Sequence, residues 1–196
     1  MTSQHGLDRI ATFADAVVAI AITLLVLPLV DLATQSATVP IGRVLGDNAG
    51  ALGAFALSFA VIARLWMAHR RLFERVTADD SMVVRLTLVW LFTVVFLPFP
   101  TELLVAQSGR GPSMLYVGTL LASSVALAAN AAWVGAHPAL RRTTGTSGDS
   151  PWTTTGLLAV AFLLTALVPS ASVWPLLLLL LAAPIDALRR RRTGRD

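Results

Sequence analysis

The stretch RIATFADAVVAIAITLLVLPL, from Arg9 to Leu29, decides the fold of this chain. It is an apolar run of about 20 residues, the length that a helix needs to cross the ~30 Å hydrocarbon core of a bilayer. The run nevertheless contains Asp15 and Thr23. A charged side chain inside a membrane is energetically expensive, so such residues are rare and mark functional positions. The stretch predicts a first membrane-spanning helix whose carboxylate needs a partner on another helix.

The composition places the whole chain among multi-pass membrane proteins. Of its 196 residues, 56% are hydrophobic and 13% are charged, and the mean hydropathy is +0.73. The absence of cysteine excludes disulfides, thiolate metal sites and cysteine nucleophiles. The first apolar run is too long for the h-region of a signal peptide, and no small-residue cleavage site follows it, so we expect a retained helix.

Six apolar segments follow one another along the chain. They cover residues 10–30, 50–68, 83–99, 114–136, 153–168 and 172–188. Helices are expected in all six, because isolated strands cannot satisfy their backbone hydrogen bonds in lipid. The predicted fold class is therefore an all-α membrane protein, with one six-helix transmembrane domain over residues 1–196.

The basic residues, all fifteen of them arginines, predict the orientation. The first, third and fifth loops carry one, one and none, whereas the second loop, the fourth loop and the C-terminal tail carry four, two and five. The positive-inside rule then places both termini in the cytoplasm, for a multi-pass protein of the plasma membrane. The arginines cluster at the ends of apolar runs without interleaved aromatic residues. This distribution argues against nucleic-acid binding despite a pI of about 11.2.

The helical period divides the first helix into two sides. One side is a stripe that is mainly apolar and has a single hydroxyl group. Its members are Arg9, Phe13, Ala16, Ile20, Thr23, Leu24 and Leu27. Asp15 lies off this stripe, on a flank of the helix. We therefore expect the carboxylate and the stripe to meet different neighbours.

The second helix offers polar side chains that suit Asp15. Ser58, Trp66 and His69 fall on one side of it, at positions i, i+8 and i+11. Asp15 and His69 both lie near the cytoplasmic ends of their helices, so they have similar depths in an antiparallel pair. We predict a hydrogen-bonded cluster of Arg9, Asp15, Trp66 and His69. Ser58 would lie deeper and bond another helix.

Other interpretations of these residues stay open. Asp15 would also suit a solvated helix start stabilised by the helix macrodipole, His69 the arginine-rich interface, and Trp66 an aromatic belt. Arg64, on another side of the second helix, suits a snorkelling or structural residue. The fourth predicted helix has small polar residues typical of helix packing, namely Ser123, Ser124 and Asn130.

The sequence carries no catalytic or nucleotide-binding signature. The HExxH, GxSxG, Walker A and dinucleotide-binding patterns are missing, and His5, His69 and His137 are too scattered to suggest a metal site. We expect no enzymatic activity and no cofactor. The TVGYG-like loop of carbonyl-lined potassium filters is also missing. A pore would have to be lined by side chains and enclosed by several copies of the chain.

Arg9, Phe13 and Asp15 in RIATFAD, followed by AVVAIAITLLVLPL, resemble the Arg-x-x-x-Phe-Ser-Asp signature and first helix of the transmembrane protein 175 family. This family comprises lysosomal potassium channels and their bacterial homologues. The segments SFAVIARLWMAHRRLF and FLPFPT are also similar to the family, so the resemblance covers roughly residues 9–101. The chain departs from the signature at Ala14, where the family has serine.

The resemblance implies a potassium-selective cation channel, a homotetramer in the lipid bilayer whose first helices line a central pore without a re-entrant loop. It places the hydrophobic pore constriction at Ile20, five positions after the signature aspartate, and the threonine linked with selectivity at Thr23. Leu27 is the next pore-facing candidate. Permeating K+ is expected near Thr23, and the permeant monovalent cations are the only metal ions implied. The predicted structural network comprises Arg9, Phe13, Asp15, Ser58, Trp66 and His69.

Two other functions are compatible with the sequence. The first is a small proton-coupled transporter that uses Asp15 and His69 as an intramembrane pair. It would show saturable flux that depends on a proton gradient, whereas only a channel gives unitary currents. The second is a membrane scaffold without any flux.

Overall fold

The computed structural model describes residues 2–30, 39–107, 109–140 and 151–167. These residues are predominantly helical, and no β-strand occurs among them. The helices are α1 (Thr2–Leu24), α2 (Ile41–Asp47), α3 (Ala49–Phe73), α4 (Ser81–Phe96), α5 (Pro98–Ala106), α6 (Arg110–Ala136) and α7 (Pro151–Leu167), with a 3-10 turn at Pro138–Leu140 before α7. The described part of the chain confirms the prediction of an all-helical protein.

Several helices are long and apolar enough to cross a membrane. The four such segments in the described residues are His5–Val30, Ala49–Phe73, Ser81–Ala106 and Arg110–Ala136, and each contains one of the first four predicted spans. A shorter apolar helix, Thr154–Leu167, lies at the fifth predicted span. The sixth, residues 172–188, lies outside the described residues. The lengths and compositions indicate a multi-pass membrane protein.

The third span is longer than predicted. The sequence predicts an end near residue 99. Instead, a break at Leu97 separates α4 from α5, and the helix continues to Ala106. Pro98 is at the start of α5, where a helix does not use the backbone N–H that proline lacks. Glu102 therefore lies on a helix and not in a loop.

α6 is the central helix of the bundle, and it contacts α3, α4, α5 and α7. Its side chains Tyr116, Val117 and Leu120 are completely buried. Gly118 allows the close approach of α7, since a Cβ atom there would lie 3.3 Å from the ring of Phe162. α1, in contrast, contacts α3, α4 and α5. It therefore lies at the edge of the bundle.

Polar side chains inside the bundle join neighbouring helices. Asn130 Nδ2 donates to Thr87 Oγ1 at 3.0 Å, which joins α6 to α4, and Ser124 Oγ lies 2.8 Å from Thr155 Oγ1 of α7. Arg64 Nη2 donates to Thr154 Oγ1 at 3.3 Å and joins α3 to α7. Two of the small polar residues of α6 thus hold helices together, because a polar side chain in an apolar bundle is stabilised by a partner.

Candidate ion pathway and polar network

The first span, which consists of α1, a turn at residues 25–26 and a short helical stretch to Val30, has a buried face and an exposed face. The buried face consists of Leu7, Ala14, Val18, Ala21 and Leu25, each at most 7% exposed. The exposed face holds every member of the predicted stripe, namely Arg9, Phe13, Ala16, Ile20, Thr23, Leu24 and Leu27. Within the part of the chain that the structure describes, the bundle therefore covers one side of α1 and leaves the stripe uncovered.

The middle of the stripe combines two aliphatic side chains with one hydroxyl. Ile20 is 59% exposed and Leu27 is 54% exposed. Between them, Thr23 Oγ1 donates to the backbone carbonyl of Ile20 at 2.7 Å. A threonine hydroxyl has one hydrogen and two lone pairs, so this bond uses the hydrogen and leaves the oxygen as an acceptor. The stripe thus presents an oxygen that suits a cation.

Asp15 lies on a flank of α1 and meets Trp66 of α3. Trp66 Nε1 donates to Asp15 Oδ1 at 2.7 Å, a hydrogen bond strengthened by the charge of the carboxylate. The guanidinium of Arg70 lies 5.8 Å from the centre of the Trp66 ring, within the range of a cation–π interaction. The structure therefore brings together two members of the predicted cluster and ties α1 to α3.

His69 is held mainly by ring packing. It is 2% exposed, and its ring stacks on Trp90 with centroids 4.3 Å apart and lies 4.4 Å from the ring of Phe73. Within the described residues, His69 Nε2 has no hydrogen-bond partner. His69 and Asp15 line the same cavity of about 400 Å³. They are neighbours, but the hydrogen bond of Asp15 goes to Trp66.

The remaining residues at this end of α1 do not join the cluster. Arg9 is exposed and forms no ion pair with the residues that the structure describes, and Phe13 is also exposed. Ala14 is completely buried at the position where the family signature has serine. A methyl group at such a position needs no hydrogen-bond partner. The network at Asp15 therefore has one hydroxyl fewer than the signature provides.

Ser58 belongs to a separate polar cluster. Its Oγ lies 2.9 Å from Tyr116 Oη and 3.0 Å from Thr101 Oγ1, and all three side chains are buried. Thr101 Oγ1 donates to the carbonyl of Leu97 at 2.9 Å. Since each hydroxyl has one hydrogen, the cluster is satisfied when Tyr116 donates to Ser58 and Ser58 donates to Thr101. The cluster joins α3, α5 and α6 and fixes the rotation of α5.

Sequence reasoning missed a carboxylate next to this cluster. Glu102 follows Thr101, is exposed, and lines a cavity of about 320 Å³ at the C-terminal end of α1. Leu24 and Leu27 of the stripe line the same cavity. The available signal was a charged residue within one turn of a predicted span. Glu102 was missed because the predicted span ends at residue 99, which places Glu102 in a loop.

Asp80 lies just before α4, outside the membrane-spanning segments, and its side chain joins the start of α4 to α6. Its Oδ1 accepts hydrogen bonds from the backbone N–H groups of Met82 and Val83 at 2.8 and 3.0 Å and from Trp133 Nε1 at 3.0 Å. The bond from Val83 is the largest cause that lowers the pKa of Asp80 below 3.8, and Met82, Trp133 and the nearby His137 add to it. Asp80 is a helix cap that also binds α6.

The described residues contain no group of three or more histidine, aspartate or glutamate side chains placed to hold a metal ion. The features of α1 that bear on function are therefore the exposed stripe, the Asp15 to Trp66 hydrogen bond and the cavity beside Glu102. The hydrogen bond and the cavity lie near opposite ends of the stripe.

Comparison with known proteins identifies relatives of this arrangement. Residues 9–98 match the family described as endosomal/lysosomal potassium channel TMEM175. A protein of Streptomyces collinus named as a potassium channel is 34% identical over 131 residues, which are 64% of this chain and 62% of the relative. A protein of Chamaesiphon minutus named as a potassium channel is 36% identical over 143 residues, 70% of each chain.

A solved structure agrees with these matches. It is the crystal structure of a lysosomal potassium-selective channel TMEM175 homolog from Chamaesiphon minutus. The two folds have a TM-score of 0.67 at 28% sequence identity, and the match covers 94% of this chain and 98% of that one. The match to the Streptomyces protein spans just under two thirds of that protein's length. The resemblance inferred from the sequence is confirmed: this chain belongs to the TMEM175 family.

Proposed function

We propose that this chain forms a potassium-selective cation channel whose pore is lined by α1. The observation that carries the proposal is the exposed stripe of α1, which the described helices leave uncovered and which contains the acceptor oxygen of Thr23. The relatives are named as potassium channels, which confirms the prediction that the chain is not an enzyme. A channel needs no cofactor, and K+ is its permeant ion.

The pore requires several copies of the chain, because one exposed helix face cannot enclose a path. We infer a homotetramer, with four copies of α1 around the central axis. Four Ile20 side chains form an apolar ring that a hydrated ion crosses only by losing water or by widening the ring. Such hydrophobic constrictions gate by dewetting. Ile20 is therefore the proposed constriction, and Leu27 lines the pore about two turns further along.

Thr23 supplies the proposed selectivity. Four Thr23 oxygens just beyond the Ile20 ring replace part of the water that a cation loses there. Potassium loses its water at a lower energetic cost than sodium, so the site favours potassium. A single ring of hydroxyl oxygens coordinates less completely than successive rings of backbone carbonyls, and we expect selectivity below that of carbonyl-lined filters.

The hydrogen bond from Trp66 to Asp15 holds the end of α1 next to Arg9, while the stripe stays free for the axis. His69 packs beside it, and Ser58 holds α5 in the same bundle. The arginine-rich loops support an orientation in which this end and both termini lie in the cytoplasm, and we propose the plasma membrane as the location. The partners of the chain are then its own copies, lipids and permeant monovalent cations.

Single-channel recording of purified protein in planar bilayers tests the proposal. With K+ on both sides we expect unitary currents, and replacing K+ by Na+ should reduce them. A proton-coupled transporter built on Asp15 and His69 would instead give saturable flux driven by a proton gradient, without unitary steps. Absence of unitary K+ currents from correctly folded protein would overturn the channel proposal.

A further inference from the structure

Glu102 carries a carboxyl side chain within a membrane-spanning segment. It belongs to α5, which forms the second part of the span Ser81–Ala106. Its side chain is exposed and, within the described residues, has neither a hydrogen bond nor an ion pair. A carboxylate without a partner in a span faces water and not lipid, because desolvating its charge is expensive. We therefore expect the side chain of Glu102 to contact water beside α5.

The cavity at Glu102 indicates which aqueous space this is. It is shared with Leu24, Leu27 and Pro28 at the C-terminal end of α1, and the two leucines belong to the exposed stripe. If the stripe faces the pore, the carboxylate opens onto the same water as Leu27. This step rests on the proposed function.

The bundle also fixes the direction in which Glu102 is presented. Thr101, one residue earlier, is buried and bonded to Ser58 and to the carbonyl of Leu97. Successive residues of a helix are turned by about 100°. While Thr101 remains in its cluster, Glu102 is held on the outer side of α5. Rotating it away would break buried hydrogen bonds.

We infer that Glu102 is a cation-attracting residue at the pore entrance that lies at the C-terminal end of α1. Four symmetry-related carboxylates there raise the local concentration of K+ before the ions reach Thr23 and Ile20. Rings of aspartate or glutamate serve cation channels in this way. The charges act through space and do not need to coordinate the ion. The effect is therefore strongest at low ionic strength, where screening is weakest.

The first experiment compares single-channel conductance of wild type and Glu102→Gln at low and high KCl. We expect a loss of about two-fold or more at low salt, since fields of this kind raise the entry rate of counter-ions by an order of magnitude or more. The loss should vanish near 1 M KCl, where the Debye length is only ~3 Å. Asp47→Asn is the matched control, because Asp47 is an exposed carboxylate on α2 that does not line the cavity.

The absence of cysteine from the chain allows a second, reversible test. A thiol reagent that leaves a negative group on Glu102→Cys should restore the low-salt conductance, whereas one that leaves a positive group should lower it further. The inference is overturned if wild type conducts K+ and both Glu102 variants conduct equally well at all salt concentrations. It is also overturned if Asp47→Asn gives the same loss. Absence of current in wild type itself would instead refute the proposed channel.

Discussion

Both faces of α1 are apolar, but they differ in the size of their side chains. Two of the five residues of the buried face are alanines, Ala14 and Ala21, whereas Ala16 is the one alanine of the exposed stripe, whose other members include Ile20 and Leu27. Small residues at helix contacts in membranes let the backbones approach closely. The contrast teaches that hydrophobicity does not separate inside from outside in such a helix. Side-chain size, and one hydroxyl, are the better indicators.

The largest difference in stability is expected between two variants that place an asparagine on the buried face and on the exposed face. Val18 is 2% exposed, so Val18→Asn buries an amide without a partner, at a cost of about 1–3 kcal/mol. We expect a lower melting temperature in detergent and less folded protein. Ile20→Asn, on the exposed face, should preserve the melting temperature and increase ion leak in liposomes while weakening selectivity. Equal stability of the two variants, or unchanged currents in Ile20→Asn, would break the proposed division of the faces.

The hydroxyl of the exposed face is tested by Thr23→Ala. Losing the ring of acceptor oxygens should lower the ratio of K+ to Na+ permeability about 2- to 10-fold, the equivalent of ~0.5–1.5 kcal/mol for one such interaction. Reversal potentials under bi-ionic conditions measure this ratio. Thr23→Ser keeps the hydroxyl and should keep the selectivity. Thr12→Ala is a second control, since Thr12 is exposed on α1 outside the stripe and its hydroxyl donates to Asp8.

The flank between the faces is tested by Trp66→Phe, which keeps an aromatic ring and removes the N–H donor to Asp15. We expect a stability loss of about 1 kcal/mol, because water reaches the exposed carboxylate and replaces part of the bond. Asp15→Asn retains an acceptor oxygen and should lose less. Thermal unfolding in one detergent compares the variants. A loss in Asp15→Asn as large as that in Trp66→Phe would mean that the charge of Asp15, rather than the bond, is what matters.

The sequence allowed the exposed stripe and four of the spans to be predicted, because apolar length and helical period are local properties. It also placed Asp15 at the depth of His69, in a cluster that included Trp66, and Trp66 is the residue that bonds Asp15. It did not reveal that His69 stacks on Trp90. A periodic pattern gives the direction of a side chain on its own helix, whereas the partner depends on how other helices are arranged around it.

The partners of Ser58 show the same limit. We expected Ser58 to bond another helix, but the sequence did not indicate which one. Its partners, Thr101 and Tyr116, lie 43 and 58 residues further along the chain. Thr101 was not considered, because the third span was expected to end before it. The predicted end lies next to Pro98, which instead begins a new helix, since its missing N–H is not needed there. One misplaced boundary thus concealed both Thr101 and Glu102.

The smallest effect is expected at Asp80, which caps α4, a helix that α1 packs against. Its pKa is lower in the folded protein than its ordinary value of 3.8. The ionised carboxylate therefore stabilises the fold at any pH above 3.8, and this contribution is lost as the pH falls below 3.8 through the folded-state pKa. Asp80→Asn keeps a capping oxygen without the charge and should lose less stability than wild type on acidification.

Thermal unfolding of the two proteins between about pH 5 and about pH 3 measures this difference, because the interval brackets the ordinary range of an aspartate. Asp80→Ala lacks the capping oxygen as well and should be less stable than Asp80→Asn across the whole interval. All three proteins should have the same K+ selectivity at neutral pH, since Asp80 supports the helix behind α1 and not the stripe. A changed selectivity in Asp80→Asn would show that the exposed face depends on this scaffold as much as the buried face does.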